Sequence, residues 1–545
     1  MKYFYLCLMI FLLFFDLGYS NPCVVIWTQV YDSGNMDTGK GIAVDKNKNV
    51  FVTGVKDIAG VNPNMLTIKY SPQGQSIWTQ ELDTGPGRDD RGEGIVIDSQ
   101  GNIYVAGRWQ PINWDYYIVK YNNNGQSIWT QTYDAGGAEY IDGICIDKDD
   151  NIYVTGWDGS FYTVKYDPAG NTIWSQQFSI PGSIDMAIAV DSEQNSYVTG
   201  PKFIGFLEYF TFKMDISGNT VWSQDSNIDG ESYGIAVDSG KNVYVTGKKG
   251  GDIFTIKYDT DGNTIWTQQY INGLGNDSGN TVNVDSYNNV YVVGEKSNGV
   301  NGDFFIIKYD PDGNILWTQQ NNFSNNEGFN ALFIDEEHAI YGTGTRITGP
   351  NWDYYTIKYI QPPYTPVLLS AALLSSDAVE LSWQDIPNED EFIVLRSIDG
   401  ITFTNIGRVI KDQLFFIDSD IGANTVYYYR LAATNIAGLS LPSNILNTAS
   451  HTITTLKEVV VSPNPFKPYT QGIDHVTFHN LSSEFEIRVY TTGGGEVFHK
   501  KTASVSGRYQ WDVKNNNGEL LKSGVYVCFI KNGKEEKYLK LVVIR

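Results

Sequence analysis

Seven aspartates, seven lysines and two aromatic clusters recur at fixed places in this chain, and each group could do chemistry. The aspartates end an apolar run, "GIAVD" and its variants, at Asp45, Asp98, Asp147, Asp191, Asp238, Asp285 and Asp335. Carboxylates at seven equivalent positions could ring a metal cation. The alternative, and the expected one, is that each closes a turn: "D-x-x-x-N" recurs, and an Asp side chain bonds the backbone of the turn it begins. The lysines sit in "FTIKY" and its variants at Lys69, Lys120, Lys165, Lys213, Lys257, Lys308 and Lys358. Their apolar neighbours predict partial burial, which requires an ion pair or a cradle of carbonyls for each ammonium. The aromatic clusters are "PINWDYY" (residues 111–117) and "GPNWDYY" (349–355). They nominate Trp114, Tyr116, Trp352 and Tyr354 for sugar stacking or protein contact, with packing at a sheet corner as the other reading.

Patterns for other chemistries are missing from the sequence. The chain has five histidines, and only His338 lies among the repeats. No Gly-x-Ser-x-Gly, His-Glu-x-x-His or phosphate-loop pattern occurs. No cofactor and no catalytic residue are therefore expected, although 62 acidic residues leave room for an acid pair that sequence does not reveal.

These residues must be positioned by repeated elements. Four signals follow one another in fixed order: a tryptophan strand, an aspartate strand, a strand ending in glycine ("VYVTG") and a lysine strand. Each occurs seven times, with steps of 44–53 residues between successive copies. Short strands of alternating or continuous apolar character, bounded by "DSQGN", "DPAG" and "DTDGN", read as a four-stranded antiparallel unit. One such sheet cannot cover both of its faces, whereas seven around an axis shelter one another. The expected fold is all-β, a seven-bladed β-propeller over residues 21–361. The chain opens with a tryptophan strand and closes with a lysine strand, so the strand of Trp27 should pair with that of Ile357 and close the ring.

"GIAVDSGKNVYVTG" and "FTIKYDTDGNTIWTQ" resemble the bacterial SBBP β-propeller repeats and, more loosely, NHL repeats. The resemblance implies architecture, because those repeats have no single activity. "DGNTIW" is also similar to the Asp-box of sialidases, but its tryptophan lies one residue too far from the glycine. Only four arginines (Arg88, Arg91, Arg108, Arg346) precede residue 360, so no carboxylate-binding cluster is indicated. It is similar as well to the tryptophan-docking repeat of quinoprotein dehydrogenases, though the blade count is seven and the scattered cysteines offer no cofactor site.

After "QPPYTP", a stiff Pro-rich linker, two β-sandwich domains are expected. Residues 365–449 ("VELSWQ", "TVYYYRLAATNIAGLSLPSN") resemble a fibronectin type III domain. That resemblance makes Trp383 a core tryptophan and Tyr427 a tyrosine corner, with Tyr429, Leu431 and Ala433 behind it. No Arg-Gly-Asp is present, so the domain reads as a spacer. Residues 455–545 resemble the Ig-like domain of flagellar hook-capping proteins and the C-terminal sorting domain of type IX secretion. The matching pieces are Asn464-Pro465-Phe466, Trp511-Asp512, Gly518, Ser523-Gly524-Val525-Tyr526 and "KLVVIR", with Cys528 a departure from the usual aromatic or apolar residue. The resemblance implies delivery by a type IX-like secretion machinery, and a terminal Ig-like spacer is the alternative.

Residues 1–20 read as a secretory signal peptide, a short apolar run interrupted by Asp16. Beyond it no transmembrane segment is expected. The net charge of −23 argues against nucleic acid. Cys23, Cys145 and Cys528 are too few and too scattered for a disulfide framework. The expected protein is a secreted or cell-surface monomer whose propeller binds an extracellular glycan or protein without catalysis. An enzyme acting on extracellular polysaccharide (a lyase or hydrolase) and a structural surface-layer component are the alternatives.

Overall fold

Strands of about seven residues, each ended by a turn that an aspartate or glycine closes, fold into four-stranded antiparallel sheets. The computed structural model describes residues 22–57, 63–85, 88–110, 114–133, 138–179, 185–273, 275–321, 327–348, 351–375, 378–421, 425–448, 456, 459–468, 475–479, 481, 484–503, 509–533 and 535–545. The expected signal peptide lies outside the described residues. The chain divides into two units, residues 1–361 and 362–545.

In the first unit the described residues form seven four-stranded sheets. The first runs Thr38–Val44, Val50–Lys56, Asn64–Tyr70 and Ser76–Leu82, in spatial order. The two middle strands are buried nearly throughout, and the last alternates exposed and half-buried residues. This is the burial expected when a sheet is covered on both faces everywhere except at its outer edge. Five further sheets repeat the order over 91–133, 140–178, 187–229, 231–270 and 278–321. The innermost strands touch in sequence all the way round, and that of the seventh sheet, Glu327–Ile334, returns to Thr38–Val44. The seventh sheet takes its outer strand from the start of the chain: Val24–Tyr31 pairs with Asn351–Ile360, with Trp27 opposite Lys358 and Thr28 opposite Ile357. The ring closes as its sequence order requires.

In the second unit, two pairs of sheets enclose separate cores. One core gathers Leu368, Val379, Leu381, Trp383, Phe392, Val394, Tyr429, Leu431 and Ala433. The other gathers Phe466, Val476, Phe485, Ile487, Trp511, Tyr526, Cys528 and Leu541. Around this second core, Asn464 donates to the Lys540 carbonyl (2.6 Å) and accepts from the Val542 amide (2.9 Å). The Phe466 amide donates to the Val542 carbonyl at 2.8 Å. The "NPF" segment therefore clamps the last strand, Glu536–Val543, from the edge not held by Gly524–Lys531. Among the described residues, no helix is long and apolar enough to cross a membrane.

Candidate functional site

The seven aspartates are consumed by structure. In every sheet Oδ1 accepts the amide of the residue four positions on, for example Asn102 on Asp98 (2.7 Å) and Asn195 on Asp191 (2.9 Å). In six of the seven, Oδ2 accepts the hydroxyl of the tyrosine six positions on: Tyr104, Tyr153, Tyr197, Tyr244, Tyr291 and Tyr341. The first sheet has Phe51 there. The cation alternative for Asp45, Asp98, Asp147, Asp191, Asp238, Asp285 and Asp335 is corrected: each carboxylate holds its own turn and following strand, and among the described residues none of the seven belongs to a group of acids close enough to share an ion.

The lysines complete the same cluster. Each ammonium lies 4.6–5.2 Å from the centroid of that aromatic ring, a cation–π distance. Lys120, Lys165 and Lys308 also pair with Asp98, Asp147 and Asp285 at 3.2–3.7 Å. Burial pulls the Lys308 ammonium down to about 8 against the pull of Asp285. Lys69, Lys120, Lys213 and Lys257 reach a carbonyl in the turn of the next sheet. The indole of the same sheet's outer tryptophan donates to that carbonyl too: Trp78 to Asn123, Trp129 to Pro168, Trp222 to Thr260 and Trp266 to Pro311, at 3.1–3.3 Å. The turn glycine lies flat on the indole it faces. At Gly262, with φ +86°, a Cβ would stand 2.9 Å from the Trp222 ring. "DGNTIW" is thus two halves of different latches. Its glycine turn receives the preceding sheet, and its tryptophan reaches for the following one.

No such turn exists before the seventh sheet, whose last two strands come from opposite ends of the repeats. Gln361 takes its place. Its Oε1 accepts from Lys308 (2.9 Å) and its Nε2 donates to the His338 carbonyl (2.8 Å).

At the opposite end of the ring the backbone repeats but the side chains vary more. The innermost strands carry a β-bulge at register shifts that include Gly39/Gly41, Gly92/Gly94, Ile141/Gly143 and Ser232/Gly234. Bulges re-aim a side chain, and the residues so placed are Lys40, Glu93, Asp142 and Tyr233. Asp185 precedes the innermost strand of the fourth sheet. Burial pushes its carboxyl up, with Lys40 of the first sheet pulling it down and Glu231 of the fifth pushing it up. The fourth and fifth sheets are neighbours, whereas the first and fourth are not, so Lys40 and Asp185 act on each other across the axis. They lie at the mouth of the central channel, with Asp142 beside Asp185. Burial, with Glu93 and Asp185 beside it, pushes the Asp142 carboxyl up to about 8, against Arg108. Asp142 Oδ2 is buried without a hydrogen-bond partner. Arg108 Nη2 stands 3.2 Å from Glu93, and its guanidinium lies 5.0 Å from the Trp114 ring and 5.1 Å from Tyr140. Tyr140 in turn lies 6.1 Å from Trp114 and 6.0 Å from Trp157.

Of the four aromatic candidates, the structure brings one to this group. Trp114 is half-buried beside Arg108. Trp352 is 46% exposed on the seventh sheet, where its carbonyl accepts the Asp37 amide at 2.7 Å. Tyr116 and Tyr354 are corrected: they are 1% and 0% exposed and pack between sheets, where neither can present a ring to a ligand. "WDYY" runs straight into a strand covered on both faces, so its tyrosines are core. Residues 111–113 and 349–350 of the two motifs lie outside the described residues. Sequence reasoning missed Glu93, Asp142, Tyr140 and Arg108. The available signal for Glu93 and Asp142 was a residue near the start of the aspartate strand, beside glycine ("GKG", "GEG", "DG"), whose identity differs among the first three repeats.

Residues 77–108 match the family described as Beta-propeller repeat, and residues 460–545 match the Secretion system C-terminal sorting domain. A WD repeat-containing protein of Acanthamoeba polyphaga mimivirus is 23% identical over 143 residues, 26% of this chain. The match spans only 8% of that relative's length. Among solved structures, the WD40 domain of Neurospora crassa Pan2 is similar at 8% identity, with TM-score 0.41 and coverage of 62% of this chain and 94% of that one. PorZ, a surface component of the type IX secretion system of Porphyromonas gingivalis, gives 12% identity, TM-score 0.25 and coverage of 93% and 81%. A gluconolactonase of Xanthomonas campestris gives 14%, TM-score 0.31 and coverage of 51% and 95%. At these scores none of the three bears on function. The sorting domain does bear on destination: the protein engages the type IX secretion system and is secreted or held at the outer cell surface.

Proposed function

We propose that the propeller binds an extracellular glycan, without catalysis, at the mouth of its channel. The observation that carries this reading is Asp142, unpartnered on Oδ2 and next to Glu93, Arg108 and the rings of Trp114, Tyr140 and Trp157. Rings that cover the apolar face of a sugar, beside carboxyl and guanidinium groups that take its hydroxyls, are what a saccharide site needs. An extracellular protein is the other class of partner for the same surface. On this reading residues 1–20 are a signal peptide removed on export. Residues 365–449 are a fibronectin type III spacer, supported by the burial of Trp383, Tyr429, Leu431 and Ala433. Residues 455–545 are an Ig-like module that carries the sorting signal.

The test is a glycan array with the full secreted protein, followed by titration of any ligand found. Trp114→Ala is expected to weaken binding at least about tenfold, and Trp352→Ala to leave it unchanged. Equal loss in both variants would remove the channel mouth as the site.

One observation favours a second reading, an enzyme acting on extracellular polysaccharide. Asp142, held protonated near neutral pH beside Glu93, is a pairing suited to general acid–base work. New chain ends released from a bound polysaccharide by the native protein, and not by Asp142→Asn, would establish it.

A further inference from the structure

We propose that Asp32, Asp37 and Asp353 form a calcium site at the closure of the ring. One carboxylate oxygen from each lies within 4.8 Å of the other two. Oxygens on opposite sides of a calcium ion are about 4.6–5.2 Å apart, so the three fit around one such ion. Asp37 and Asp353 are fully buried and Asp32 is exposed, which leaves the ion a way in from solvent.

The inference rests on Asp353 rather than on the clustering of acids. Both of its carboxylate oxygens are buried and neither has a hydrogen-bond partner. Its counterparts in two other sheets are satisfied. Asp252 accepts from Gln269 Nε2 (2.8 Å) and Asp303 from Gln320 Nε2 (2.6 Å). Those glutamines stand three residues after Trp266 and Trp317. Three residues after Trp27 the chain has Val30, opposite Tyr355, and valine has nothing to donate. Arg346, opposite Asp353 in register, sets its Nε 3.4 Å from Glu327. Asp37 is held in place by the Ser33 amide (2.6 Å), the Ser33 hydroxyl (2.9 Å) and the Asp57 amide (3.0 Å). Asp32 Oδ1 accepts the Gly34 amide at 2.6 Å. Each of these two carboxylates retains lone pairs for a cation. Three carboxylates and no nitrogen or sulfur ligand select a hard ion. A protein outside the cell meets calcium at the concentrations that weak extracellular sites use.

Burial, reinforced by Asp32 and Asp37, pushes the Asp353 carboxyl up to about 6. A proton therefore competes with the ion, and binding weakens as pH falls through that value. A second acidic group, Asp385, Glu389 and Asp412, lies in residues 362–545. The assignment to Asp353 accordingly depends on variants and not on calcium uptake by the whole chain.

The experiment is scanning calorimetry of the full chain at pH 7.5, after dialysis against EDTA and again in about 5 mM calcium chloride. Calcium should raise the propeller transition by about 3 °C. Asp353→Asn should abolish the rise without lowering the transition measured in EDTA, because it removes a buried charge that accepts no hydrogen bond. Val30→Gln, which supplies the missing amide, should raise the transition in EDTA and shrink the response to calcium. A native transition indifferent to calcium, or an Asp353→Asn protein that keeps the full response, would overturn the proposal.

Discussion

The two ends of the ring are built from the same strands but obey different rules. At one end the same group recurs from sheet to sheet: aspartate, aromatic ring, lysine, and the glycine turn of the next sheet. At the other end the bulge positions read lysine, glutamate, aspartate and tyrosine in the first, second, third and fifth sheets and asparagine in the sixth and seventh. The first end is where neighbouring sheets are fastened, so every repeat is under the same physical demand and gives the same answer. At the second end two sheets are still joined through the bulge residue, Asn280 to the Phe329 carbonyl and Asn330 to the Gly39 carbonyl, whereas Lys40, Glu93, Asp142 and Tyr233 differ from sheet to sheet. Uniformity marks the scaffold, and the divergent bulge residues supply the proposed site.

This contrast can be broken by substitution. The largest effect is expected for Lys165→Met at the latched end. It leaves Asp147 without its buried cation (3.3 Å) and should cost about 3–5 kcal/mol in urea unfolding. A loss below about 0.5 kcal/mol would mean that the repeated lysine is not a fastener. Gly262→Ala is the next test. It adds a Cβ against the Trp222 indole at a positive φ and should cost about 1–3 kcal/mol. If it proves neutral, turn and tryptophan do not hold the sheets together.

The last expected change has the opposite sign and belongs to the channel mouth. Asp142 binds its proton more tightly folded, at about 8, than unfolded, near 3.8. The stability tied to that proton is complete below about pH 4 and is lost as pH rises towards 8. Asp142→Asn should therefore match the native protein at pH 4 and exceed it at pH 8 by several kcal/mol, about 4 for a shift of this size. A constant difference across that range would show that the carboxyl is not held neutral.

Much of the latched end was legible in the chain. The aspartates predicted their turns, the lysines their need for partners, and Trp27 its place beside Ile357. The tyrosine that joins aspartate to lysine went unread, although it sits six residues after the aspartate in six of seven repeats. Burial on both faces had already made that strand nearly continuous in apolar residues, so the tyrosine hydroxyl gave no periodic signal. Tyr116 and Tyr354 were assigned to a surface for the same reason: where both faces of a strand are covered, alternation no longer tells inside from outside.

The sequence by itself determined the number and order of the repeats, the all-β character, the partners that close each turn and the module that directs export. These follow from local pattern, because turns, strand periods and neighbouring latches are built from residues close in the chain or one repeat apart. Only the tertiary structure decided which side chains meet across the axis, with Lys40 and Asp185 of separate sheets acting on each other. It alone showed that Asp353 lacks the donor its counterparts have. Closing the ring joins residues more than three hundred positions apart, and spacing along the chain carries no information about a meeting at that distance.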